Sequence, residues 1–361
     1  MEVLQRLQQV PLSDYLILLV TASLLLLGVW ALSRARRKRG SGKALPEEID
    51  VPASLGVRLR RRVFYVLRLA GFAVLSFFLI GEVLIAIKDY EDITDQIAPA
   101  PSDVEAPGDL PFDIEEVTFT GGDNLTMAGW FVPPENGATV ILLHGYSANR
   151  TQMLWQAARL VEAGYGALLY DERASGESEG ARRSLGWEDS KDVGGALAYL
   201  NSRPDVDAGR IGIAGCSVGG QIALASAARY PEIRAVLADG PGIISVADYP
   251  PPDNWATALM IWSEFNYDLI LEARLGMRRP PPIIKSIGRI APRPVLLIAA
   301  GTSIPFFGGE ARHVRHFYEH AGENAELWLI PEAVHCDGPT YRPEEYARRM
   351  VEFFDDGLDV E

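Results

Sequence analysis

Five short runs constrain the fold more than anything else in the chain: TVILL (139–143), GALLY (166–170), RIGIAG (210–215), RAVLAD (234–239) and PVLLIAA (294–300). A strand with one wet face alternates apolar and polar residues. These runs do not, so they read as parallel strands covered by helices on both faces. Strand-like stretches near 114–120, 125–132 and 325–330 bring the expected total to eight. Helix-like segments at 150–162, 187–202, 217–230, 309–321 and 343–357 fall between or after them. The class is α/β, and in such sheets ligands bind beyond the carboxyl ends of the strands.

Charge divides the chain. Residues 1–88 carry 13 Lys+Arg against 6 Asp+Glu, and residues 89–361 carry 21 against 42. The acidic part would repel phosphate backbones, which argues against a nucleic-acid partner. Residues 15–32 contain no charge and span about 27 Å as a helix, close to the thickness of bilayer hydrocarbon. Residues 63–87 form a second apolar run, with Arg68 and Glu82 toward its ends. We therefore expect a membrane anchor over 1–88 with two transmembrane helices. The segment 33–62 holds ten Lys/Arg, whereas the first 14 residues hold only Arg6. By the positive-inside rule this loop is cytoplasmic, so a two-pass topology leaves the C-terminal domain extracytoplasmic. The basic RARRKR follows the first apolar run rather than preceding it, the reverse of a signal peptide. Residues 89–111, rich in Asp, Glu and Pro, read as an extended tether to a domain over 112–361.

The chemistry is concentrated in GCSVG (215–219), where a strand runs straight into a helix. This is G-x-S-x-G in strand-turn-helix context, which leaves the hydroxyl of Ser217 exposed at a helix N-terminus. A serine hydroxyl needs a base to take its proton, so the motif predicts a histidine elsewhere, and the chain has five, His335 in LWLIPEAVHCDGP after the last strand among them. His313, His316 and His320 share one helical face. Without a Glu, Asp or Cys at ligand spacing they read as a solvated face, so no metal is expected. The two cysteines, Cys216 and Cys336, read as small buried hydrophobes, with a contact between them left open.

These residues resemble the α/β-hydrolase superfamily over roughly 112–361. HGYSANR (144–150) is similar to its His-Gly loop, which implies the backbone N–H groups of Tyr146 and Val218 as an oxyanion hole. DERASGES (171–178) is similar to a structural turn of the family, with Ala174 where glycine is usual. The resemblance implies His335, after the last strand and ahead of a Gly-Pro turn, as the general base, and keeps Asp171, Arg173 and His144 structural. It also implies an acid in a G-x-x-D pattern after the seventh strand, yet the fourth position from Gly301 is Ile304. Three carboxylates compete for that role: Glu310 later in the same loop, Asp239 at the end of the sixth strand, and Asp337 beside the histidine. Glu310 is preferred for its loop and reach, and Asp239 is the alternative. The role is to accept Nδ1–H of His335, fixing its tautomer.

Residues 242–291 are longer than a crossover needs and read as a cap. Trp255, Met260, Trp262, Phe265 and Tyr267 would then form an acyl or aromatic pocket over the site, with crossover packing as the plain alternative. The expected activity is a membrane-anchored serine hydrolase acting on an ester, thioester or amide, its partner a small or lipid-like acyl substrate. No cofactor is called for. Two other readings stand beside it: an oligopeptidase-like serine peptidase, and a tethered binding module without catalysis, motivated by the missing aspartate.

Overall fold

The computed structural model describes residues 55–301 and 309–360, and the chain divides into two compact units, Met1–Glu91 and Asp92–Glu361. In the first unit the described residues belong to helix α1 (Leu55–Ile97), which continues into the second. The stretch Arg62–Ile97 is long and apolar enough to cross a bilayer, with a window of mean hydropathy 2.3 and none of that window buried. It includes the expected span at 63–87. The other expected span, 15–32, lies outside the described residues.

In the second unit an eight-stranded sheet is formed by β2 (Glu115–Thr120), β3 (Thr126–Val132), β4 (Thr139–Leu143), β5 (Gly166–Tyr170), β7 (Ile211–Cys216), β8 (Ile233–Asp239), β9 (Val295–Ala300) and β10 (Ala325–Ile330). The order is β10-β9-β8-β7-β4-β5-β3-β2. All neighbours run parallel except β2 with β3 and β3 with β5. Strand β4 shows why the apolar runs are continuous. Ile141 and Leu143 join one core with α3 (Ser190–Asn201) and α4 (Val218–Ala227), while Val140 and Leu142 face a second core with α2 (Leu154–Glu162) and α8 (Pro343–Gly357). Both faces are dry, so both parities of the strand must be apolar.

The expected tether is corrected at its start. Helix α1 runs to Ile97, and β1 (Ala100–Pro101) pairs with β6 (Ser175–Gly176). Ile93 and Ile97, one helical turn apart, are buried in the core, and Val104 is buried too. An acidic, proline-rich composition hid these three anchors.

The segment after β8 contains α5 (Trp255–Leu275), started by a capping box in which the Asn254 side chain accepts from Ala256 and Thr257 N–H. Gly276, at φ 62°, ends it in the left-handed conformation that glycine adopts without steric cost. Helix α6 (Glu310–Tyr318) follows β9, and a short α7 (Gly338–Tyr341) precedes α8.

Candidate active site

Ser217 sits between β7 and α4 at φ 55° and ψ −116°, a strained conformation for a residue with a Cβ. Its N–H donates to Asp239 O at 2.9 Å, and its C=O accepts from Gln221 and Gly242. The flanking glycines are explained by contact rather than by flexibility. A Cβ on Gly215 would lie 2.3 Å from the backbone of Gly219, and one on Gly219 would lie 2.4 Å from Leu143 O. Larger residues at either position would push the elbow off β4.

The loop after β4 closes over the serine. A Cβ on Gly145 would stand 3.3 Å from Ser217 Cβ. Buried His144 orders this loop: its Nε2 accepts from Glu172 N–H at 2.9 Å, which leaves Nδ1 protonated to donate to Gly145 O at 2.8 Å. Burial lowers its pKa, so it stays the neutral tautomer that both bonds require. Tyr146 follows in the same turn. Val218 is the first residue of α4, and its N–H is one that a helix leaves without an internal partner.

His335 lies after β10, half-exposed at its side chain, with Nδ1 2.6 Å from Glu310 Oε2. Glu310 is 6% exposed, and its other oxygen accepts from Ala300 N–H at 2.7 Å, so the carboxylate is held at both ends. The hydrogen bond to Glu310 raises the pKa of His335 against the opposing effect of burial. Of the three competing carboxylates, this is the one brought to the histidine. Asp239 points elsewhere: its Oδ2 accepts from Tyr346 OH at 2.9 Å, and burial raises its pKa to about 6. The geometry leaves His335 Nε2 as the acceptor nitrogen. No hydrogen bond joins it to Ser217 Oγ among the described residues.

Four expectations are corrected or extended. Cys216 and Cys336 are not separate packing thiols but a disulfide, Cα to Cα 5.9 Å, joining the residue before Ser217 to the residue after His335. The signal was in the sequence: the chain has two cysteines, each adjacent to one of the two reactive candidates. His313 does not lie on a solvated face; its Nε2 donates to Pro241 O at 2.9 Å, bracing the loop after β8. Asp171 is bound by Arg150 and Arg173 by Asp192, pairs that order the turn beside the site. Finally, Trp255, Trp262 and Phe265 are exposed, and of the five cap residues named above only Tyr267 lines the cavity.

That cavity, about 230 Å³, opens beside Val218. Its walls are mostly apolar, from Tyr146, Leu185, Trp187, Ile243, Tyr249 and Leu271, with Gln96, Gln221, Glu264 and Asp268 as polar members. Gln96 comes from the last turn of α1 and accepts from Tyr267 OH. Sequence reasoning missed it because that turn was read as tether. Arg183 ties the same turn to the loop after β4, donating to Asp95 O and Ala98 O while its guanidinium lies 4.6 Å from the Tyr146 ring centroid.

A family model for X-Pro dipeptidyl-peptidase of the S15 family matches residues 123–273. The solved Pyrococcus furiosus esterase Pf2001 superposes with a TM-score of 0.57 at 25% identity, covering 72% of this chain and 99% of that one. The chain belongs to the α/β-hydrolase superfamily. Among curated relatives, the protein YfhR of Salmonella typhimurium is 29% identical over 70% of this chain and 85% of its own length. The thiohydrolase aneE of Aspergillus aculeatus is 26% identical over 56% and 61% respectively. The coarse activity common to the named hydrolases of the superfamily is hydrolysis, and this chain is a hydrolase of that type.

Proposed function

We propose that the chain is a membrane-anchored serine hydrolase that cleaves an ester, thioester or amide through an acyl-enzyme on Ser217. The observation that carries this reading is the 2.6 Å contact between His335 Nδ1 and a buried Glu310 that is itself held by Ala300 N–H. A carboxylate on Nδ1 fixes the tautomer with a bare Nε2 and stabilises the imidazolium that forms. Ser217 Oγ attacks the carbonyl carbon and its proton passes to His335 Nε2. The N–H groups of Tyr146 and Val218 meet the oxyanion. Collapse sends the proton to the leaving group, and water, deprotonated by the same nitrogen, releases the acid. The cavity beside Val218 accepts the acyl or aromatic part.

A carboxylic ester is the favoured substrate class, since most walls of the cavity are apolar. The S15 match supports a peptidase as second reading, in which Glu264 and Asp268 would meet a substrate ammonium. Asp268 is already engaged by Arg279 at 2.5 Å and Val246 N–H at 2.8 Å, which weakens that role. The binding-module reading rested on a missing acid, and Glu310 removes its motive. Helix α1 serves as one membrane span, with the basic segment before it in the cytoplasm and the domain outside. Residues 15–32 supply the other. A disulfide suits such an oxidising compartment. A fluorophosphonate probe should label the purified full chain, and Ser217→Ala should abolish labelling. Equal labelling of both would discard Ser217 as nucleophile.

A further inference from the structure

Helix α5 is inside out. Its exposed residues are Trp255, Ala256, Ala258, Leu259, Trp262, Phe265, Leu269 and Ala273, and not one is charged or polar. Trp255, Leu259, Trp262, Phe265 and Leu269 recur at intervals of four, three, three and four, so they form one stripe along the helix. The opposite face is the one that works for the domain: Tyr267, Asp268 and Leu271 line the cavity beside Val218. A helix covering a soluble core presents its polar side to water. Here the outer side is apolar, with the Arg279 guanidinium 5.8 Å from the Phe265 ring centroid, while the inner side carries Asp268.

A second observation identifies the occupant. From residue 273 to 309 the chain has six Arg/Lys and no Asp or Glu, although residues 89–361 as a whole carry twice as many acids as bases. Arg278, Lys285 and Arg289, directly after α5, are exposed. An acidic domain is repelled by an anionic surface everywhere except at such a run. Tryptophan is the side chain most at home between headgroups and hydrocarbon, and an apolar stripe followed by bases is the pattern of helices that lie in that interface.

We propose that the exposed stripe of α5, with the basic run that follows it, docks on an anionic lipid surface, and that acyl substrates enter the cavity from that surface around α5. The docking step does not depend on Ser217 turning over. A second copy of the chain is the competing occupant.

The test uses the full chain, carrying Ser217→Ala so that catalysis plays no part, reconstituted in vesicles of phosphatidylcholine with about a quarter phosphatidylglycerol. Tryptophan quenching by a headgroup-proximal doxyl phosphatidylcholine is compared with and without Trp255→Phe and Trp262→Phe. Removing these two indoles should cut the lipid-dependent quenching by about half, since the buried tryptophans are out of reach and Trp30, in the expected first span, is the other indole near lipid. Leu259→Asp with Leu269→Asp, which keeps both reporters, should lose the same fraction. Raising salt from about 0.1 M to about 1 M should weaken the quenching of the parent chain. Unchanged quenching in the double Phe variant overturns the proposal. So does shielding of both indoles from doxyl lipid and from aqueous acrylamide together with a dimer by light scattering, which assigns the stripe to a second copy. Retention on vesicles through a carbonate wash reads the α1 anchor separately.

Discussion

Replacing Glu310 by glutamine isolates the step on which the mechanism turns. The side chain keeps its volume, and its Oε1 can still accept from Ala300 N–H, the bond now measured at 2.7 Å. Its amide must then face His335 with a donor where a carboxylate oxygen stood at 2.6 Å. Nδ1 becomes the acceptor, the ring proton moves to Nε2, and the nitrogen needed by Ser217 is no longer bare. Loss of the orienting carboxylate in a Ser-His-acid system costs about 10⁴-fold in kcat, which corresponds to about 5 kcal/mol of transition-state stabilisation. KM should change little, because the cavity beside Val218 is lined by other residues. Steady-state hydrolysis of a short-chain nitrophenyl ester separates the two constants, and circular dichroism checks the fold. The pH profile adds an independent sign. Glu310 holds the His335 pKa above its ordinary value, so kcat/KM should fall as pH drops through that raised value. In the variant the residual activity should carry its acid limb to lower pH. A loss of less than about tenfold in kcat, with no movement of the acid limb, would show that Glu310 does not orient His335.

Three further outcomes follow from the geometry. Asp239→Asn should leave turnover within about tenfold of the parent, because Asp239 bonds Tyr346 and not His335. Burial raises the Asp239 pKa from 3.8 to about 6, so its ionisation removes stability as pH rises through that interval. The Asn variant should therefore show a flatter melting temperature between those pH values, and a steeper one would contradict the assignment. Reducing Cys216–Cys336 with a small dithiol, which gains the two sulfur atoms' bond as its own disulfide and leaves two thiols, should lower both stability and kcat. The bond closes a loop with a sequence separation of 120, so its entropic contribution is about 4 to 5 kcal/mol, and reoxidation should restore both. Gly240→Ala should depress kcat without touching either reactive residue. Gly240 has φ 52°, and a Cβ there would lie 2.9 Å from His335 Nδ1 and 3.1 Å from Glu310 Oε1, so the pair must part; unchanged kinetics would show that the ring is not held there.

The inner strands of the sheet were legible because they are buried on both faces, and continuous apolar runs mark their ends to within a residue or two. The elbow was legible for a different reason: Gly215 and Gly219 record close backbone approaches that no other residue satisfies. Glu310 could be shortlisted from its loop, but choosing it over Asp239 required knowing that the Asp239 carboxylate turns to Tyr346, a partner 107 residues away. The start of the domain was misread since two isoleucines one turn apart carry little weight against the acids and prolines around them. The cap failed on a point of principle. Periodicity says which residues share a face of α5, not which face meets the protein, so the aromatic residues were placed over the cavity when three of them point away from it. The disulfide left a trace in the sequence, since each cysteine adjoins a reactive candidate, but pairing the two required β7 and the loop after β10 to be neighbours.

The proposed mechanism passes through a covalent acyl group on Ser217. Rapid mixing of the full chain with a nitrophenyl ester, followed by acid quench and peptide mass spectrometry, tests it most directly. A burst of nitrophenol equal to the enzyme present is expected, with an acyl adduct on the peptide that carries Ser217, absent from Ser217→Ala and slow to form in Glu310→Gln. Turnover that continues in Ser217→Ala, or an adduct on another residue, would contradict it.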